Sequence, residues 1–188
     1  MASPARKVER FPFFETPAGY DDPLGMLLGC HRRIQKKLAT LRNLCAHVAA
    51  RDVDAPASVA AQDILRYFDT AGKYHHQDEE IDLMPLLDAR ITDDGERARL
   101  DAIRARLVQE HRDVERLWSR IRKALEGIAD GLMRPLPEID VQSFSALHRR
   151  HIEEEEGVII PLANQWLTPS DLAVLGRAMA NRRGVALP

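Results

Sequence analysis

Cysteine is scarce: Cys30 and Cys45 are the two in 188 residues, too few for a disulfide framework in a chain of this length. Both fit the inward stripe of the first expected helix, which predicts buried thiols. Net charge is also small, −2 at neutral pH. That argues against nucleic acid or an anionic membrane as the main partner. No apolar run approaches membrane-spanning length. The opening residues, Met-Ala-Ser-Pro-Ala-Arg-Lys-Val-Glu-Arg, lack the apolar core of a secretion signal, so a cytoplasmic location is expected. No segment alternates as a strand would. What is present is 45% hydrophobic and 30% charged, the balance of one ordinary domain with a sizeable core.

The fold class expected is all-α, an up-down-up-down antiparallel four-helix bundle. Residues 1–21 read as an N-terminal arm, with Phe11, Phe13, Phe14 and Tyr20 interrupted by Pro12 and Pro17 and packing onto the body. Asp22-Pro23 starts a helix that runs to about Arg51. Its stripe is Leu24, Leu27, Leu28, Ile34, Leu38, Leu41 and Cys45, with His31 inside it and His47 facing water. The second helix begins near Ala57, with Ile64, Leu65, Phe68 and Ala71 inward, and Pro85 near its end is expected to kink it. The third spans about Glu96 to Ile128, its stripe of Leu100, Ile103, Leu107, Val114, Trp118, Ile121 and Leu125 broken by His111. The fourth spans about Glu138 to Gln165, with Phe144, Leu147, Val158, Ile159 and Leu162 inward. The bundle is thus assigned to 22–165. Residues 166–188 are a short helix, capped at Thr168-Pro169-Ser170-Asp171, and a tail fraying from Arg182-Arg183-Gly184.

One motif occurs twice. His75-x-x-x-Glu79-Glu80 leads to Pro85, and His151-x-x-x-Glu155-Glu156 leads to Pro161. Residues four apart share a helix face, so each copy aims an imidazole and a carboxylate the same way. Counted from the turns, His31, His75 and Glu79 fall at similar depth, as do His111, His151 and Glu155. Inward carboxylates need cations, and neither Lys nor Arg shares their stripe at this depth. Four His and two Glu exceed one open catalytic zinc. They suit two ions bridged by Glu79 and Glu155, each ion also holding two imidazoles and leaving a position open to a small molecule. The mixed donors suit iron, and manganese or zinc less specifically. Glu115, one turn after His111, is the expected supporting carboxylate. His148, one turn before His151, reads as a supporting, gating or surface group. His76 and Glu80 flank the layer as solvated or supporting groups. Generic aliphatic residues are expected around the small-molecule pocket.

At these residues the chain resembles the hemerythrin-like family, also called the HHE cation-binding domains, over about residues 22–165. Its motifs are His31, His75-x-x-x-Glu79, His111 and His151-x-x-x-Glu155. Ferritin-like bundles match less well, because they use Glu-x-x-His. The resemblance implies a non-haem centre of two iron ions, oxo- or hydroxo-bridged, with these six residues as ligands. It implies a small diatomic or peroxide ligand: oxygen, nitric oxide or peroxide. Oxygen carriers of the family place a second His where this chain has Glu115, and a bridging carboxylate where it has Glu156. The likeness therefore shifts toward bacterial relatives linked to iron handling, nitric oxide or oxidative stress, and iron–sulfur repair. Two other readings stay open: an iron-handling, sensing or repair protein acting through a partner, and a metal-free helical interaction module. A homodimer or a separate protein partner is compatible with each.

Overall fold

The computed structural model describes residues 18–187. Phe11, Phe13 and Phe14 of the expected arm lie outside them. The described residues are helical, joined by short turns. Helix α1 is Pro23–Ala50. Asp22 caps it, its carboxylate accepting from Gly25 N–H at 2.9 Å, with Pro23 at the first helical position, where its missing N–H costs nothing. Next comes one continuous helical run of five parts. These are α2 (Ala55–Tyr67), π1 (Phe68–Gly72), α3 (Lys73–Gln77), π2 (Asp78–Leu83) and α4 (Met84–Arg90). Helix α5 is Asp94–Ala129, capped by Asp93. A second composite follows: α6 (Glu138–Glu154), π3 (Glu155–Ile159) and α7 (Ile160–Trp166). Helix α8, Pro169–Arg182, begins with the expected capping box between Thr168 and Asp171.

The π segments mark a wider repeat than the motif alone. Phe68, His75, Glu79, Pro85 and Ile91 correspond at one constant offset to Phe144, His151, Glu155, Pro161 and Leu167. In both copies a π turn begins at or just before the first Glu and ends just before the Pro. Proline has no N–H and its ring crowds the carbonyl four residues back. A wider turn immediately upstream accommodates both within an unbroken helical run.

Two apolar clusters divide the interior. One holds Ile34, Leu41, Ile64, Phe68, Val114, Ile121, Leu125 and Phe144. The other holds Leu24, Leu27, Leu83, Leu87, Leu100, Leu107, Ile159 and Leu162. Helices α1 and α5 enter through the second cluster and leave through the first, and the two composites run the other way. Each crosses a polar layer between them. Helix α1 packs on α2 and α6, and α5 on the same two. Of the expected inward residues, Leu28, Leu65, Ala71, Trp118, Leu147 and Val158 are only half-buried, at the margins of the clusters. Both cysteines are buried free thiols. Among the described residues no helix is long and apolar enough to cross a membrane.

Helix α8 closes the second cluster. At Gly176 a Cβ would sit 1.9 Å from the Tyr20 carbonyl oxygen, so only glycine permits this approach. The expectation of fraying from Arg182 is corrected: helix continues through Arg182, and both arginines are anchored. Arg182 pairs with Asp78 and with Asp82 at 2.6 Å, and Arg183 donates to Asp78 Oδ2 at 2.6 Å. Asp78 is fully buried. Nearby, Arg90 grips Asp171 through two hydrogen bonds of 2.9 and 2.8 Å.

Asp78→Ala strands two partly buried guanidiniums. It is expected to cost about 3 kcal/mol in denaturant unfolding of metal-free protein. The Arg90 guanidinium, then the Thr168 hydroxyl and backbone, hold the Asp171 carboxyl well below the usual carboxylate range. A depressed folded-state pKa contributes stability that is complete above the unfolded value, about 3.9, and is lost as pH falls through the folded one. Asp171→Asn is therefore expected to lower stability at neutral pH and to shallow the acid limb below about pH 4 in pH-dependent melting.

Candidate metal centre

The six expected residues come together in the polar layer. His31 is on α1, His75 on α3, Glu79 in π2, His111 on α5, His151 on α6 and Glu155 in π3, and all are buried. The four-residue spacing brings His75 Nε2 to 3.2 Å from Glu79 Oε1 and His151 Nε2 to 3.0 Å from Glu155 Oε1. His31 Nε2 lies 3.1 Å from Glu155 Oε2, and His111 Nε2 lies 3.5 Å from Glu79 Oε2. Donor atoms of His31, His75, Glu79 and Glu155 all lie within 4.8 Å of one another, as do those of Glu79, His111, His151 and Glu155. The two sets share both carboxylates.

The residues fit a pair of cations. His31 Nε2, both nitrogens of His75, Glu79 Oε2 and both oxygens of Glu155 are buried without a hydrogen-bond partner. Buried polar atoms are rarely left so. The Nε2 atoms of His111 and His151 also face each other at 2.8 Å, an arrangement natural for two lone pairs aimed at one ion.

Electrostatics describe the same strain. Burial pushes Glu79 up, the Glu155 charge pushes it the same way, and its pKa ends at about 8. Burial acts on Glu155 too, yet the contacts from His151 and His31 hold it well below the usual carboxylate range. Burial pulls His31 and His151 down, but the carboxylates outweigh it and lift each to about 10. His75 and His111 are held down, first by burial and then by neighbouring imidazoles. Left to itself the cage readily ionises one carboxylate, and the second calls for more positive charge.

Outer carboxylates orient the imidazoles. His31 Nδ1–H donates to Glu156 at 2.9 Å, His111 Nδ1–H donates to Glu80, and His151 Nδ1–H donates to Glu110 at 3.0 Å. Each bond holds a proton on Nδ1, so that Nε2 is the nitrogen facing inward and the one free to give up its proton to a cation. Glu110 is itself held by Arg150, with Nη2 at 2.6 Å. In each Glu-Glu pair the first residue enters the cage and the second serves the cage His of a neighbouring helix, Glu80 that of α5 and Glu156 that of α1. A π turn rotates the chain less per residue than an α turn, which helps adjacent carboxylates reach neighbouring targets.

Other expectations land differently. Glu115, expected beside the cage, is exposed and lines a surface cleft. Glu80, Glu110 and Glu156 hold the places beside the imidazoles. His148 is buried rather than a surface group, donates Nδ1–H to the Phe144 carbonyl at 2.9 Å, and is held neutral by burial at about 4. His76 stacks on His111 with ring centroids 4.0 Å apart. The cleft, about 570 Å³, is lined by Phe68, Trp118, Phe144, His76, His148 and Glu115 among others. The expectation of generic aliphatic walls is corrected: aromatic rings, imidazoles and charged side chains share the lining with Ile34 and Val114. Glu110 was not legible from spacing, because it adjoins His111 and points elsewhere on α5. Only the packing of α6 puts His151 within its reach.

Removing the support of Glu110 is expected to weaken metal binding roughly 10- to 100-fold in chelator competition with Glu110→Ala. Glu115→Ala is expected to leave it unchanged.

The chain matches the model of the hemerythrin HHE cation binding domain over residues 22–163. It is also similar to an uncharacterized protein of Haemophilus influenzae, 24% identical over 168 residues, covering 89% of this chain and 94% of that one. With a family match across most of its length and a buried His/Glu cage at its centre, the chain belongs to the hemerythrin HHE cation-binding domain family.

Proposed function

We propose that this is a non-haem di-iron protein of hemerythrin type. His31 and His75 hold one ion, His111 and His151 the other, and Glu79 and Glu155 bridge them. The observation that carries this is the pair of four-residue donor sets with both carboxylates in common. Mixed imidazole and carboxylate donors favour iron, with manganese or zinc as alternatives. We read the alternating helices as an up-down-up-down four-helix bundle spanning 22–165, with an arm before it and α8 and a tail after it, working in the cytoplasm.

When bound, the two irons supply open coordination positions and redox capacity for oxygen, nitric oxide or peroxide. The chain's own groups do the rest. Glu80, Glu110 and Glu156 hold protons at the Nδ1 atoms and so present Nε2 inward. The two apolar clusters keep bulk water from the layer above and below. The cleft, which His76 and His148 line, offers an approach from the side.

A second reading, iron handling or sensing with a partner, is favoured by one contact. Asp78, beside Glu79 in π2, anchors the arginines that end α8. A change in the cage therefore reaches a surface helix through one peptide bond.

Anaerobically purified protein is expected to carry two irons per chain by elemental analysis, with oxo-to-iron absorption after oxidation. Less than one metal ion per chain and no such band would sink the di-iron reading. Stripping the metal is expected to lower Tm by roughly 10 °C, from about 4 kcal/mol of binding linkage at a thousandfold excess over Kd. Glu79→Gln is expected to reverse sign between states. It should stabilise the metal-free chain at neutral pH by about 1 kcal/mol or more, since the amide, unlike the carboxyl, needs no proton to sit beside the Glu155 charge, and weaken the metal-loaded one.

A further inference from the structure

His148 is used by nothing in the cage. It sits one turn before His151 on α6 and is 2% exposed. Its Nδ1–H goes to the Phe144 carbonyl of its own helix, at 2.9 Å. Nε2, on the other side of the ring, has no hydrogen-bond partner among the described residues, and unlike the orphaned atoms of the cage it is not sealed off. It opens on the cleft that His148 lines. Held neutral by burial, with its proton on Nδ1, the ring can only accept a hydrogen bond there. At the offset that relates the two halves, the counterpart of His148 is Gly72. Gly72 lines the same cleft, and a Cβ there would meet the Phe68 ring at 3.2 Å. One half thus contributes an acceptor to the cleft, and the other contributes space.

The rest of the cleft suits a flat, uncharged molecule. Phe68, Trp118 and Phe144 line it as one contiguous set of rings, with centroids 5.0 Å apart between Phe68 and Trp118 and 5.8 Å apart between Trp118 and Phe144. Phe144 in turn lies 4.3 Å from the His148 ring. The charges on the lining cancel, Lys73 and Arg122 against Asp69 and Glu115. The Asp69 carboxylate is already engaged by Trp118 Nε1–H at 2.9 Å and by Arg122 Nε at 3.0 Å. A volume of about 570 Å³ is far more than a diatomic fills. It falls in the range of organic-ligand pockets, which combine apolar and aromatic walls with a few placed polar groups. We propose that this cleft binds a neutral phenol, its ring against Trp118 and Phe68 and its hydroxyl donating to His148 Nε2. The site adjoins the cage without using the cage's donors: His76, which also lines it, stacks on His111. It therefore stands independently of the two-ion reading.

The test is calorimetric titration of the full-length chain, as purified, with 2-naphthol and with 2-methoxynaphthalene, which keeps the two rings but has no hydrogen to donate. Wild type is expected to bind 2-naphthol roughly tenfold more tightly, the worth of one hydrogen bond to a buried acceptor. His148→Phe and His148→Leu accept no bond. Each is expected to lower 2-naphthol to the level of the ether and to leave the ether unchanged. His148→Gln restores an acceptor and is expected to recover part of the preference. Trp118→Ala is expected to weaken both compounds alike. Circular dichroism identifies an acceptor-less variant that fails to fold, and the other then decides. No binding of 2-naphthol by wild type, equal affinity for the two compounds, or an undiminished preference in His148→Phe or His148→Leu would overturn the proposal. So would a new phenolate-to-iron band that persists in those variants, because the hydroxyl would then sit on the metal. Each of these outcomes leaves the count of ions in the cage, read by elemental analysis, untouched.

Discussion

Glu79 and Glu155 point into the same dry layer, and this mutual repulsion is what the surrounding structure has to answer. Apolar clusters lie on both sides of them. A carboxylate taken out of water loses several kcal/mol of solvation even after relaxation, and a like charge nearby adds to the loss. The chain answers in stages. Four imidazoles crowd the carboxylates, three outer carboxylates fix imidazole orientation, and Arg150 steadies one of those carboxylates in turn. Charge alternates outward from the centre, and the innermost place is left for a cation.

Symmetry and its breaking divide the labour. The repeat supplies two nearly equivalent halves, each with His, Glu, Glu, a π turn and Pro. The differences are confined to a few positions. Glu110 supports His151, whereas His75 Nδ1 has no partner. Cys30, which precedes His31 as Glu110 precedes His111, offers only a buried thiol. His76 stacks on His111, whereas its counterpart Ile152 packs in the first apolar cluster. A duplicated scaffold thereby presents two chemically distinct environments within one layer.

Much of this was legible in the amino-acid sequence, for physical reasons. Caps at Asp22 and Thr168 are local hydrogen-bonding chemistry, so they survive any tertiary context. The helical spacing of His75 and Glu79, or of His151 and Glu155, is intrinsic to one helix, and equal depth from the turns aligned the remaining two imidazoles. What escaped depends on relations between helices. Glu110 reaches His151 only across the α5–α6 contact. Glu115 sits one turn from His111, yet the angle of α5 to its neighbours sends it to the surface. Arg182 and Arg183 look like a solvated tail until Asp78 is known to be buried beneath them. The π turns have no periodicity of their own, and Pro85 and Pro161 hinted at irregularity without revealing its form.

Those π turns have a consequence for how this scaffold tolerates change in length. A π turn is an α-helix carrying one surplus residue, so it works as a vernier that resets the angular phase of everything beyond it. Leu83 and Leu87 on one run, and Ile159 and Leu162 on the other, meet the second cluster because the phase has been reset. Deleting a single residue from either segment would let it relax to ordinary pitch, and the lost residue and the regained twist would nearly cancel, leaving the downstream apolar face where it is. A one-residue deletion in an ordinary α segment of the same run would instead swing everything beyond it by about a quarter turn. The same surplus residue that lets two adjacent glutamates serve different masters is the one whose loss each composite helix could absorb without re-aiming its far half.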